Sequence, residues 1–121
     1  MSLIDPGVAR VFAAEWIEAW NAHDIERILG HYADDVTFSS PFVASIAGES
    51  SGTLAGKDAL RAYWTKALAM LPDLRFEPID VLAGVGVVTV YYRGHRGTVA
   101  ETFHLDAAGK VRSATACYEV A

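Results

Sequence analysis

The sequence contains little cysteine, no cluster of basic residues and no long uninterrupted apolar segment. Its one cysteine, Cys117, excludes an internal disulfide and a thiolate-rich metal site, and we expect it to be a small buried hydrophobe rather than a nucleophile. The net charge is −5 and basic residues occur singly from Arg10 to Arg112, so a nucleic-acid partner is not expected. Apolar runs end well short of the roughly 20 residues that a spanning helix requires, so we expect no membrane partner either.

Motifs for metals, nucleotides and export are also missing. The four histidines show no metal-ligand spacing, which predicts no metal site and no cofactor. The stretch from Gly52 to Lys57 lacks the spacing and the Ser or Thr of a phosphate loop, and Gly84 opens a strand rather than a helix. Residues 1–10 show neither the basic start nor the apolar segment of a signal peptide, so we expect a cytoplasmic protein.

The composition is that of an ordinary globular protein, with 52% apolar and 21% charged residues in 121 positions. This length predicts a single domain, residues 1–121, with one hydrophobic core. Its first helix is predicted to have Asp5 as the cap and Pro6 in the first turn. Apolar residues that recur at helical spacing predict the face turned to the core. They are Val8, Val11, Phe12, Trp16, Ala19 and Trp20.

A second, shorter helix is predicted from an Asp24 cap to Tyr32, followed by a strand over residues 36–40 that ends at Pro41. Asp34 and Asp35 are expected to cap or turn the chain between the two. Residues 43–56, rich in Ser, Gly and Ala, are predicted to be a loop, either a functional lid or rim or a plain surface connection. Residues 56–71 form the third predicted helix, with Leu60, Tyr63, Trp64, Ala67, Leu68 and Leu71 on one side.

From residue 74 onward the apolar period changes to two, which is typical of strands. Four strands are predicted, over residues 74–83, 86–93, 98–106 and 111–120, and the short turns between them favour an antiparallel meander. Helices followed by strands predict an α+β fold. A twisted sheet that curls around three N-terminal helices would enclose a cone, and its apolar interior is where a ligand would bind.

Four segments carry a resemblance to a known family. They are Trp16-Ile-Glu-Ala-Trp-Asn-Ala-His-Asp-Ile-Glu, Tyr32-Ala-Asp-Asp-Val-Thr-Phe-Ser-Ser-Pro, Gly56-Lys-Asp-Ala-Leu-Arg-Ala-Tyr-Trp and Ala108-Gly-Lys-Val-Arg-Ser. The chain resembles the nuclear transport factor 2-like superfamily, within it the SnoaL-like polyketide cyclase and ketosteroid isomerase branch. The resemblance implies a cone-shaped, curved antiparallel sheet wrapped around three helices, the cystatin-like α+β roll. It does not imply one activity, since the superfamily holds enzymes, binding proteins and transport adaptors.

The catalytic groups of ketosteroid isomerases are mostly replaced in this chain. The resemblance aligns Ser40 with their aspartate base, Trp16 with their oxyanion-binding tyrosine and Trp64 with a supporting tyrosine. Glu101 matches the protonated acid of their oxyanion hole. Steroid isomerisation by that mechanism is therefore not expected, and the two tryptophans predict a smaller and drier pocket.

Glu101 and Ser40 are the predicted catalytic residues. Strand alternation places Glu101 on one face with Val99 and Phe103, where burial would raise its pKa and suit it to general acid or base chemistry. Alternatively, Glu101 is solvated or paired with an arginine such as Arg93 or Arg112. Ser40 could donate a hydrogen bond to a ligand carbonyl or satisfy a turn before Pro41.

An aromatic set on inward-facing stripes is predicted to contact a small hydrophobic ligand, although core packing would explain most of its members. These residues are Trp16, Trp20, Tyr32, Phe38, Trp64, Phe103 and Tyr118. Both parities of the strand at residues 86–93 carry apolar side chains, which predicts a homodimer packed through the outer face of the sheet. Three functions stay open: a cofactor-free isomerase, cyclase or hydro-lyase, a non-catalytic ligand-binding protein, and a protein-interaction module.

Overall fold

The computed structural model describes residues 3–120. It contains the three predicted helices and a sheet of six strands, one more than predicted. The helices are α1 (Pro6–Asn21), α2 (Ile25–Leu29) and α3 (Lys57–Met70), and a π-helical turn spans Val43–Ala47. The strands are β1 (Tyr32–Ser39), β2 (Thr53–Ala55), β3 (Glu77–Ala83), β4 (Val87–Gly94), β5 (Gly97–Leu105) and β6 (Val111–Tyr118). Within residues 3–120, no helix combines the length and the apolar character needed to cross a membrane.

Helix α1 begins as predicted, because the Asp5 carboxylate accepts a hydrogen bond from the Val8 amide and Pro6 occupies the first helical position. Its buried face differs from the predicted stripe. The residues turned to the core are Ala9, Ala13, Trp16, Ile17, Ala19 and Trp20. Val8 and Val11 are 57% and 71% exposed, so the prediction was wrong for them. The small side chains of Ala9 and Ala13 let this part of the helix pack closely against the core, whereas Val8 and Val11 face solvent.

The early strand is longer than predicted. Tyr32 begins β1 rather than ending α2, which stops at Leu29, and Asp34 and Asp35 are exposed residues within the strand rather than a cap or turn. A register shift in the pairing with β6 falls in this part of β1. Such irregularities bend a strand, so the two aspartates face solvent while Tyr32 and Val36 remain buried.

The segment at residues 43–56, predicted to be an unstructured loop, contains the π-helical turn and strand β2. Strand β2 pairs antiparallel with β1, and Lys66 Nζ donates a hydrogen bond of 2.8 Å to the carbonyl of Ile46. Three residues of strand and one turn were too short to give a visible period in the sequence. The segment is therefore tied to both the sheet and α3.

The strand order is β2-β1-β6-β5-β4-β3, and the sheet curves without closing. The predicted antiparallel meander of β3 to β6 is confirmed. The β1–β6 pair is parallel, and it places β1 beside the last strand of the meander rather than beside the first. Register shifts in β3–β4 and β5–β6 add to the curvature, and the helices pack on the concave face.

The two faces of the sheet differ more than the sequence indicated. Val88, Val90 and Tyr92 are all buried on the concave face. The convex face of β4 carries Thr89 and the exposed Tyr91, and its neighbours on β5 are mainly Thr and Ala. Cys117 is exposed on this convex face, so its predicted burial was wrong. Its parity in β6 is opposite to that of the buried Ala114 and Ala116.

Candidate functional site

A cavity of about 340 Å³ lies between the concave face of the sheet, helices α1 and α3, and the π-helical turn. Helix α1 contributes Trp16 and Trp20, α3 contributes Tyr63 and Trp64, and β5 contributes Glu101. Most of the wall is aromatic or aliphatic. The volume is within the range of small-molecule sites, and the few polar groups in an apolar wall are the arrangement expected of a binding pocket.

Glu101 is the acidic residue of this wall and is only 4% exposed. Its Oε1 accepts a hydrogen bond of 3.0 Å from the hydroxyl of Tyr92, and its Oε2 has no hydrogen-bond partner among residues 3–120. Burial raises the pKa of Glu101 to about 7, opposed by the hydrogen bond from Tyr92. No arginine pairs with it within the described residues, so the expected alternative of an ion pair with Arg93 or Arg112 was wrong.

Trp16 and Tyr32, two of the predicted ligand-binding residues, contact each other. Trp16 Nε1 donates a hydrogen bond of 3.0 Å to the hydroxyl of Tyr32, and both residues are buried. Burial raises the pKa of Tyr32, and the nearby charge of Glu101 raises it further, so the phenol is neutral. The Nε1–H group of Trp16 is therefore already hydrogen-bonded within the protein and is not available to bind a ligand.

Three hydroxyl groups lie near one another at the side of the cavity. Ser40 Oγ accepts a hydrogen bond of 3.3 Å from the Phe42 amide, which satisfies the turn after Pro41. Burial raises the pKa of Tyr118, and the charge of Glu101 raises it further, whereas Ser40 acts in the opposite direction. The pKa of Tyr63 is raised by burial and lowered by Ser40 in the same way. Both phenols line the cavity as neutral hydrogen-bond donors.

Exposed residues of the cavity lining lie in the turn between β4 and β5, in the π-helical turn (Ser45) and at the end of α3 (Met70). We call the side at the β4–β5 turn the open end. The ring of Phe42 packs edge-on against Tyr118, with 4.6 Å between the ring centroids. The guanidinium carbon of Arg96 lies 4.8 Å from the centroid of the Phe42 ring. His95 and Arg96 are exposed residues that also line this end.

The structure brings most of the predicted site residues to one cavity. Glu101 and five of the seven predicted ligand-binding residues line it, namely Trp16, Trp20, Phe38, Trp64 and Tyr118. Tyr32, Phe103 and Ser40 do not: the first two are buried behind the wall, and Ser40 lies next to the phenols. Trp20 Nε1 is buried without a hydrogen-bond partner among the described residues.

Sequence reasoning missed the contributions of Tyr92, Phe76 and Arg96. Tyr92 had no predicted role. Because Tyr92 lies on the same face of its strand as Val88 and Val90, the sequence could have indicated that it faces the same side as Glu101 on the next strand. Phe76 lies within the strand predicted over residues 74–83 but had no predicted role; in the structure it precedes β3, and its ring stacks on that of Trp16 with 5.6 Å between the centroids. The turn residue Arg96 gave no signal. Within residues 3–120, no three His, Cys, Asp or Glu side chains converge to hold a metal ion.

Comparisons with known proteins agree with this architecture. Over 98% of this chain and 100% of the other, the structure resembles a SnoaL-like protein of unknown function from Burkholderia thailandensis, with 48% identity and a TM-score of 0.94. TerC, co-crystallized with polyporic acid, shares the fold at 16% identity and a TM-score of 0.74, over 92% of each chain. No match is found among the curated proteins. Because residues 13–120 match the SnoaL-like domain family, the chain belongs to that family, in the nuclear transport factor 2-like superfamily.

Proposed function

We propose that the chain binds a small hydrophobic molecule in this cavity and that Glu101 exchanges a proton with it. The observation that carries the proposal is a buried carboxyl group in an apolar cavity, with one oxygen that has no hydrogen-bond partner among residues 3–120. With a pKa of about 7, Glu101 is divided between its acid and base forms near neutral pH. A single group can then both remove and return a proton.

The chemistry that fits this site is proton transfer next to a ligand carbonyl. The Glu101 carboxylate would take a proton from the carbon beside the carbonyl, and the electron pair would move onto the carbonyl oxygen. The neutral hydroxyls of Tyr63 and Tyr118 are candidate hydrogen-bond donors to that oxygen. Return of the proton to a different carbon gives an isomerase, whereas bond formation or loss of water gives a cyclase or hydro-lyase.

Ser40 has a different role in this proposal from the direct ligand contact expected from the sequence. It does not line the cavity, but it affects the pKa values of both Tyr63 and Tyr118. We therefore assign Ser40 a role in the polar surroundings of the two phenols rather than in direct contact with the ligand. The second candidate function is ligand binding without turnover, which the dense aromatic wall favours, since ring packing alone can hold an apolar ligand.

Tryptophan fluorescence tests the proposal, because Trp16, Trp20 and Trp64 all line the cavity. We would titrate the protein with aromatic ketones and polyporic acid at pH 6 and pH 8, alongside Glu101→Gln and the exposed control Glu77→Gln. Saturable quenching that depends on pH and is altered only in Glu101→Gln supports a proton-transferring site, to be followed by an assay of deuterium exchange into the ligand.

Other outcomes separate the remaining functions. Quenching that is indifferent to pH and to Glu101→Gln leaves a binding protein without proton transfer. If no compound binds, the pocket proposal fails for this ligand class, and the protein-interaction module becomes the function to test by identifying partners.

A further inference from the structure

Arg96 is the one lysine or arginine among the described residues that line the cavity. It is exposed in the turn between β4 and β5, in a protein whose net charge is −5. Its guanidinium makes no salt bridge within residues 3–120 and lies against the Phe42 ring. A cation held by an aromatic face loses less side-chain freedom when it binds an anion, and its charge is still available for that anion.

A series of contacts connects Arg96 with the part of β5 that carries Glu101. Phe42 contacts Tyr118, and Tyr118 is the register partner of Val99, which is two residues before Glu101 on β5. Val99 and Glu101 are separated by roughly 7 Å along the strand. Burial raises the pKa of Tyr118, the charge of Glu101 raises it further, and the charge of Arg96 lowers it. The Tyr118 phenol is therefore close enough to interact electrostatically with both charged groups.

The wall between the two charged groups is aromatic and aliphatic. A fused pair of aromatic rings can pack against such a wall. An anionic group next to Glu101 would place two negative charges together in a desolvated region, which is costly. At the open end, the same group would meet an arginine with no carboxylate partner among the described residues, and carboxylate oxygens match the guanidinium geometry.

We infer that Arg96 determines ligand specificity by selecting aromatic carboxylates, bound with the carboxylate at the open end and the opposite end of the ring system toward Glu101. The inference rests on the proposed function, since it concerns the same cavity and adds the class of ligand and its orientation. Arg96 acts here in recognition, and Glu101 remains the group that exchanges protons.

The test compares two neutral and two charged probes by isothermal titration calorimetry. A hydroxynaphthoate, with its hydroxyl and carboxylate at opposite ends of the ring system, is compared with the matching hydroxynaphthamide, and naphthoate is compared with naphthalene carboxamide. We expect the wild type to bind each carboxylate more tightly than its amide. Arg96→Gln should weaken carboxylate binding by roughly three- to tenfold, as for a partly exposed ion pair, and leave amide binding unchanged.

Two variants serve as controls. Arg93→Gln removes an exposed arginine of β4 that does not line the cavity, and it should preserve the preference for carboxylates. Arg96→Lys should restore part of the preference, because it keeps the charge without the planar fork. Higher salt should reduce the preference in the wild type and have little effect on Arg96→Gln.

The outcomes distinguish this inference from the proposed function. If carboxylates and amides bind equally, or if Arg96→Gln weakens both alike, the role of Arg96 is wrong while the pocket stands. If carboxylate preference is lost in Arg93→Gln as well, general surface charge rather than Arg96 causes it, which also overturns the inference. If none of the four probes binds, both the inference and the pocket proposal fail for bicyclic aromatic ligands.

Discussion

The Tyr92 hydroxyl donates a hydrogen bond of 3.0 Å to Glu101 Oε1 across the β4–β5 pair. In the register of these strands Tyr92 is opposite Val99 and Glu101 is opposite Val90, so the two residues are diagonal neighbours on the concave face. The bond favours the ionised form of Glu101, whereas burial favours the neutral form, and burial has the larger effect. The balance of these two effects sets the proton-transfer properties of the cavity.

Removal of the hydroxyl in Tyr92→Phe should raise the pKa of Glu101 above about 7. The substitution deletes the hydrogen bond that stabilises the carboxylate and leaves the burial in place. Carbon-detected NMR titration of the Glu101 carboxyl group would measure the pKa directly. Tyr91→Phe, which removes a hydroxyl from the exposed neighbour on β4, should leave this pKa unchanged. A lower pKa in Tyr92→Phe would contradict the assignment of the bond.

Glu101→Gln should stabilise the protein at pH 8 relative to the wild type and have less effect at pH 5. Because the folded pKa of Glu101 is raised, the folded state of the wild type binds more protons than the unfolded chain between the ordinary pKa of 4.5 and about 7. The wild type therefore loses stability as pH rises through this window and levels off above it.

The shift in pKa corresponds to about 3 kcal/mol of unfolding free energy for a fully buried group. Urea denaturation of both proteins across this pH range would measure the difference. The exposed control Glu77→Gln should follow the wild-type curve. Parallel curves for the wild type and Glu101→Gln would show that Glu101 has no raised pKa.

Trp16→Phe should lower the free energy of unfolding by roughly 2–4 kcal/mol. The change removes buried ring area and the Nε1 donor to Tyr32, and the ring of Trp16 packs against Phe76, Tyr92 and Phe103. Chemical denaturation would give the value, and Tyr32→Phe would separate the hydrogen bond from the packing, since it leaves the Trp16 ring in place. A loss below 1 kcal/mol in Trp16→Phe would contradict the central packing role.

We propose that the chain forms a homodimer through the convex face of the sheet, as the sequence predicts. Ala100 lies near the middle of this face, between Tyr91 of β4 and Cys117 of β6. Light scattering after size-exclusion chromatography should give twice the chain mass of 13.0 kDa for the wild type. Ala100→Glu should reduce the mass to that of one chain, whereas Ala107→Glu, the same change in an exposed turn, should not. A monomeric wild type would refute the dimer.

The sequence supports local predictions well and predictions about side-chain convergence less well. The caps at Asp5 and Asp24, the meander turns and the inward parity of Glu101 depend on near neighbours, and the structure agrees with each. The exposed Val8 and Val11 show where periodicity was insufficient, because a stripe identifies apolar residues without saying which side of the helix meets the sheet.

The sequence by itself determined the order of the three helices and of five of the six strands, the α+β class and the presence of one acidic residue among inward-facing apolar ones. These features follow from side-chain periods of 3.6 and 2 and from turn chemistry, all of which act over a few residues. Only the tertiary structure decided that Tyr92 would contact Glu101 and that Phe42 would support Arg96 at the open end of the cavity. Those contacts depend on strand register, on the bends in the sheet and on the parallel pairing of β1 with β6, which bring distant parts of the chain together.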